Sequence, residues 1–186
     1  MTLFEAVFLG LIQGLTEFLP ISSSGHLVIG QKLLGFEYPP VLFVILVHCG
    51  TLFAIIFYFN KRIIVFYKSY NNLRLIFIGS LPAVLIGLFL NDYLEALFDS
   101  LIVVGLCFFI TAGLLFLTNF VKKANKDFSK IDGITSFKIG CLQALAILPG
   151  VSRSGSTISA GPWHGLKKET AFAFSFYLGA RRWLAL

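Results

Sequence analysis

Two polar stretches interrupt an otherwise apolar chain, and their residue types suit anion chemistry. In the first, Gln13 and Glu17 are four residues apart and share one helix face. Leu19-Pro20 follows, then Ile21 and Ser22-Ser-Ser-Gly-His26. The second runs Leu148-Pro-Gly-Val-Ser-Arg-Ser-Gly-Ser-Thr157 and centres on Arg153, with uncharged sequence on both sides. An arginine at membrane depth costs roughly 2.5–3.5 kcal/mol on insertion scales, so it persists where it meets an anion, a carboxylate or a water-filled cavity. Ser152, Ser154, Ser156 and Thr157 add hydroxyl donors, and Gly150 and Gly155 free the backbone. Guanidinium, hydroxyls and glycine-flexed amides together describe a cradle for phosphate. The bland reading is a capping loop with a snorkelling arginine.

Glu17 has three candidate roles: ligand of a divalent metal, general base, or ion-pair partner of Arg153. Hard cations take oxygen ligands and bridge carboxylate to diphosphate. His26 suits acid–base work or phosphoryl acceptance, or else it caps the second arm of its hairpin. His48 has no polar cluster of its own and reads as a packed core histidine; His164, near Lys167, reads as interfacial. Serine, glutamate, histidine and arginine together fit phosphoryl transfer. No glycine loop ending in Gly-Lys-Ser/Thr is present, which argues against nucleotide hydrolysis. A substrate with a diphosphate head and a lipid tail explains a site inside the membrane.

The elements that must position these groups are membrane helices. Of 186 residues, 57% are hydrophobic and 13% charged, about half the charge of a soluble domain. Mean hydropathy is +0.86. Barrel-type alternation is absent, so the spans are helical. The net charge of +6 fits basic cytoplasmic loops better than nucleic-acid binding. Cys49, Cys107 and Cys141 lie in apolar runs without paired spacing and read as core residues. No basic n-region precedes the first apolar segment, which is expected to be retained.

Residues 3–19 and 27–34 are both short for a span and flank the first polar break, which predicts a re-entrant hairpin. Full spans are expected at 41–59, at 75–91 with a kink at Pro82, and at 100–121. A polar loop over 122–138 leads to a second broken hairpin from 139, and a further apolar segment covers 170–186. Lys61, Arg62, Lys68 and Arg74, the five lysines of 122–138, and Lys167 and Lys168 mark cytoplasmic loops. Glu37, Asp92, Glu95 and Asp99 mark outer ones.

The breaks resemble each other. Gly10, Gln13, Leu19-Pro20 and Ser24-Gly25 recur as Gly140, Gln143, Leu148-Pro149 and Ser154-Gly155, with one single-residue slip. Three spans separate them, which inverts the second unit and predicts broken helices meeting near the midplane. The expected fold is therefore a single all-α polytopic membrane domain with two re-entrant hairpins in an inverted-topology repeat. Repeat one is 1–121 and an incomplete repeat two is 139–186. The adjacent Arg181 and Arg182 in a would-be span, together with the short second repeat, predict a truncated chain.

Gln13-xxx-Glu17-Phe-Leu-Pro, Ser22-Ser-Ser-Gly-His26 and Pro149-Gly-Val-Ser-Arg-Ser-Gly-Ser-Thr157 resemble the undecaprenyl-diphosphate phosphatases of the bacitracin-resistance type, over nearly the whole chain to about Phe176. The resemblance implies hydrolysis of undecaprenyl diphosphate to undecaprenyl phosphate and inorganic phosphate on the outer face of the bacterial plasma membrane. That recycles the carrier lipid for peptidoglycan synthesis. It implies Mg²⁺ or Ca²⁺ as cofactor, with Glu17 as the metal ligand. By match, Gln13 and Glu17 fall on the family's acidic motif, where Gln13 is an amide variant. Ser23 and His26 fall on the serine–histidine motif, and Ser152, Arg153, Ser154 and Thr157 on the phosphate-binding motif. The expected catalytic set is Glu17, Ser23, His26 and Arg153, with Ser23 favoured over His26 as nucleophile. Gln13, Ser22, Ser24, Ser152, Ser154 and Thr157 are expected to bind substrate. Gly161-Pro-Trp-His-Gly165 and the residues after Phe176 depart from the family pattern, and family members continue through further hydrophobic helices. The partners implied are the lipid diphosphate and the membrane, not nucleic acid, with homo-oligomers left open. The rival class is a transporter or flippase of anionic polyprenyl lipids, which shares the architecture but releases no phosphate.

Overall fold

Almost every long run of this chain is too apolar to leave its backbone polar groups to water, and it satisfies them within helices. The computed structural model describes residues 1–36, 41–98, 100–121 and 124–184. Of the charges used above for orientation, Glu37, Asp99, Lys122 and Lys123 lie outside the described residues, as do the side chains of Arg62, Asp92, Glu95, Arg181 and Arg182. Eight α-helices are described: α1 (Leu3–Glu17), α2 (Ser23–Leu33), α3 (Val41–Tyr67), α4 (Tyr70–Phe98), α5 (Leu101–Leu117), α6 (Gly133–Leu145), α7 (Arg153–Trp163) and α8 (Lys168–Leu184). Among the described residues there is no strand, only an isolated parallel bridge between Lys126 and Leu166.

Among the described residues, three helices are long and apolar enough to cross a bilayer, over Leu42–Lys61, Tyr70–Phe89 and Leu101–Phe120. Phe53, Phe57, Phe89, Ile102 and Phe109 stand exposed on them, as lipid-facing side chains do. The protein is an all-α polytopic membrane protein. By contrast α1, α2, α6 and α7 have 15, 11, 13 and 11 residues. At 1.5 Å per residue each falls well short of a ~30 Å hydrocarbon core.

The two breaks are built alike. Ser22 caps α2, accepting the Gly25 N–H at 3.4 Å with Ser24 Oγ 3.2 Å away. Ser152 caps α7, accepting the Gly155 N–H at 3.0 Å with Ser154 Oγ 3.2 Å away. Each supplies a hydroxyl acceptor to an otherwise orphaned N–H of the first turn.

Some boundaries differ from the sequence expectation. α6 starts at Gly133 rather than 139, because Asp132 caps it by accepting the Thr135 N–H at 2.8 Å. α4 continues through Pro82 as one helix, and the interruption of helical torsions falls instead at Phe59 of α3. α4 and α6 cross closely, since a Cβ on Gly140 would overlap the Gly79 carbonyl, and Ser136 Oγ donates to Leu75 O at 2.5 Å. Phe66, Leu75, Ile76, Ile139, Phe174 and Leu178 form the core around that crossing.

Away from the spans, Lys126 N–H donates to Gly165 O and Lys167 N–H to Lys126 O, which ties the 124–130 segment to the α7–α8 turn. Lys167 Nζ meets Asp127 Oδ1 at 2.7 Å, and that hydrogen bond, with the lysine's charge, holds the Asp127 carboxyl below its ordinary value. His164, at the end of α7, is held below the usual histidine value by burial first, then by Lys138 and Lys126. The three cysteines are free thiols; Cys107 is buried as expected of a core residue, whereas Cys49 and Cys141 are exposed.

Candidate active site

The end of α1 and the first turns of α2 and α7 border one polar cavity of about 130 Å³. Its walls include Glu17, Ser22, Ser23, Ser24, His48, Ser152, Arg153 and Ser154. Two helix N-termini beside one cavity bring the positive ends of two dipoles to it, a setting for an anion.

Glu17 is the hub. Its Oε2 accepts Gln13 Nε2 at 3.0 Å and Ser23 Oγ at 2.5 Å. Its Oε1 lies 3.9 Å from Arg153 Nη2, and the two side chains are 9% and 20% exposed. At such burial each charge depends on its partner or on a ligand. The guanidinium also lies against α8, where a Cβ on Gly179 would collide with it. A second, largely apolar cavity of about 140 Å³ shares Glu17, Arg153 and Ser154, and its wall includes Phe18, Ile55, Phe59, Phe172, Ser175 and Phe176.

The structure does not bring every expected residue to the polar cavity. Gln13 is fully buried behind Glu17, and its Oε1 has no hydrogen-bond partner among the described residues. His26 is off the cavity wall: its Nδ1 meets Ser22 O at 2.7 Å, and its ring packs edge-on against Phe108 with centroids 4.9 Å apart. Ser22 and not His26 is the cap of α2, and the histidine bonds the carbonyl four residues before it. Thr157 also lies off the wall, because it points from α7 toward α8. It is 1% exposed, donates to Arg153 O at 3.0 Å and sits 2.6 Å from Ser175 Oγ. His48, expected from the sequence to be a packed core histidine, is buried with Nδ1 2.8 Å from Val44 O, and it also borders the cavity. No periodicity flags it, since α3 is apolar on all sides.

Among the described residues, no three His, Cys, Asp or Glu side chains are grouped to hold a metal. Glu17 is the one carboxylate on the wall. A hard cation takes oxygen ligands, and Glu17 is the wall residue that would hold one. The orphaned Gln13 oxygen, on the amide bonded to Glu17, is a further oxygen behind it.

A carboxylate–serine pair, an arginine and two capped helix N-termini meet at one cavity of a membrane protein, a setting suited to an anionic group. The bacitracin resistance protein BacA family model matches residues 6–185, and the chain belongs to that family. It is 41% identical to an undecaprenyl-diphosphatase of Desulforapulum autotrophicum, over 96% of this chain and 73% of the relative. It is 44% identical to one of Carboxydothermus hydrogenoformans, over 96% and 69%. It is 42% identical to undecaprenyl-diphosphatase 4 of Bacillus thuringiensis, over 94% and 68%.

Proposed function

We propose that this chain hydrolyses undecaprenyl diphosphate to undecaprenyl phosphate and inorganic phosphate, returning the carrier lipid to cell-wall synthesis and so opposing bacitracin. The observation that carries the reading is Ser23 Oγ on Glu17 Oε2, 2.5 Å apart, beside Arg153 at a cavity bordered by two helix N-termini. The apolar cavity across the Glu17–Arg153 pair supports a substrate with a hydrocarbon tail.

In this account Arg153, Ser152 and Ser154 bind the terminal phosphate, and Arg153 turns from Glu17 toward the phosphoryl oxygens. Glu17 takes the Ser23 proton as Ser23 Oγ bonds to the terminal phosphorus. The bond from phosphorus to the bridging oxygen breaks, and undecaprenyl phosphate leaves with the electron pair. Water then cleaves the phosphoserine, releasing phosphate and restoring Ser23 with its proton. Bound Mg²⁺ or Ca²⁺, held by Glu17 and the diphosphate, would neutralise charge on the oxygens. His26 holds the turn that presents Ser23.

The cavity is assigned to the outer face of the plasma membrane, which the basic loops 60–74 and 122–138 support through the positive-inside rule. Two measurements test the reading. Mass spectrometry of the lipid product should show undecaprenyl phosphate formed with Mg²⁺ or Ca²⁺ and suppressed by chelator; an unchanged lipid would contradict it. A membrane-impermeant thiol reagent should spare Lys126→Cys in intact cells, and labelling would reverse the orientation.

A further inference from the structure

One face of α5 touches both polar breaks. Val104, Cys107, Phe108 and Thr111 fall at i, i+3, i+4 and i+7, a single helical stripe. Val104, Cys107 and Thr111 are buried. Gly150 takes φ +99 and lies so close that a Cβ there would stand 2.5 Å from Val104 O. Phe108 carries the His26 ring and backs Gly25. Thr111 Cγ2 lies beside Gly155.

Thr111 brings a hydroxyl to this otherwise apolar stripe. Its Oγ1 accepts the Ser152 N–H at 2.9 Å. Its proton has two acceptors at 3.2 Å: Cys107 O in its own helix and Gly150 O in the phosphate-motif loop. The contacts with residues 150 and 152 span about forty positions of sequence and fix the two peptide units before Ser152. A hydroxyl that bonded only its i−4 carbonyl would be an ordinary tolerated threonine.

We propose that Thr111 is a positioning residue for the phosphate cradle: it sets the backbone of residues 150–152 and thereby aims Ser152 and Arg153 at the head group. The activity side of this proposal rests on the phosphatase reading; the geometric side does not. Misplacing a catalytic group by about 1 Å costs on the order of a hundredfold. Thr111→Val keeps the shape and removes both loop contacts, while Thr111→Ser keeps the hydroxyl.

The test uses the full chain in nanodiscs with two readouts. Amide hydrogen exchange over residues 148–153 should speed up in Thr111→Val and return to the parent rate in Thr111→Ser. Phosphate release should fall about ten- to a hundredfold in Thr111→Val and stay within about threefold of the parent in Thr111→Ser. In an Arg153→Lys background Thr111→Val should cost much less than in the parent, since both changes disturb one group. Unchanged exchange in Thr111→Val overturns the proposal whatever the turnover. Faster exchange with undiminished turnover overturns it too, and so does an equal loss in Thr111→Ser. A parent that releases no phosphate defeats the phosphatase reading, and the exchange arm still decides whether Thr111 holds the loop.

Discussion

Arg153 Nη2 stands 3.9 Å from Glu17 Oε1, joining the first turn of α7 to the last residue of α1. The two polar breaks, far apart in sequence, meet at this pair, which separates the polar cavity from the apolar one. Glu17→Gln removes the acceptor of the Ser23 proton and the charge facing Arg153. Turnover should fall by about 10²- to 10⁴-fold, the usual range for a general base. The Glu17→Gln, Arg153→Ala double variant should lose far less than the sum of the singles, as measured by a double-mutant cycle on phosphate release.

Ser23 and His26 can be separated chemically. Rapid quenching during turnover should trap acid-stable phosphate on Ser23, located by peptide mass spectrometry. Acid-labile phosphate on His26 would reverse the assignment. The expectation follows from Ser23 Oγ on Glu17 and from the His26 ring being held against Phe108, off the cavity wall.

The glycines give a paired contrast. A Cβ on Gly25 would sit 2.8 Å from Phe108 Cζ and 2.9 Å from Gly150 Cα, forcing the two breaks apart, whereas Gly10 has open space. Gly25→Ala should cut phosphate release at least about tenfold. Gly10→Ala should leave it intact and stabilise α1 by up to about 1 kcal/mol in a thermal melt.

What the sequence made legible was the pair of breaks. Proline, glycine and clustered hydroxyls amid apolar residues have few uses other than ending and restarting a helix inside the membrane. The burial direction of single residues was not legible in the same way. Thr157 has the same hydroxyl as Ser154, and only the packing of α8 turns it toward Ser175 and away from the cavity. His48 sits in a helix with no polar face, and Thr111 in an apolar run looks like any threonine bonded to its own helix. The sequence places the start of α6 late because Asp132, Thr135, Ser136 and Lys138 look like loop. Yet Ile131, Thr135, Ser136 and Ile139 are buried on one side, and Asp132 is a cap.

Thr157 should therefore act on stability. Thr157→Val leaves Ser175 Oγ buried without that partner, at a cost of about 1–3 kcal/mol. The melting temperature in detergent should drop, while KM for the folded fraction stays at the parent value. A raised KM with an unchanged melt would place Thr157 on the substrate.

The Asp127–Lys167 pair sets a pH window for the 124–130 strap. Because the Asp127 carboxyl is held below its ordinary value in the fold, its contribution is present above the unfolded value and is lost as pH falls through the lowered one. Amide exchange around Lys126 and Leu166 should accelerate only in that acidic range, and Asp127→Asn should show the faster exchange already at neutral pH.

Phosphate release from undecaprenyl diphosphate by the purified chain, run beside Arg153→Ala and a chelator control, tests the central claim most directly. The account predicts metal-dependent release by the parent and a loss of at least about a hundredfold in Arg153→Ala. Bound lipid diphosphate with no release, or release indifferent to Arg153, would contradict it.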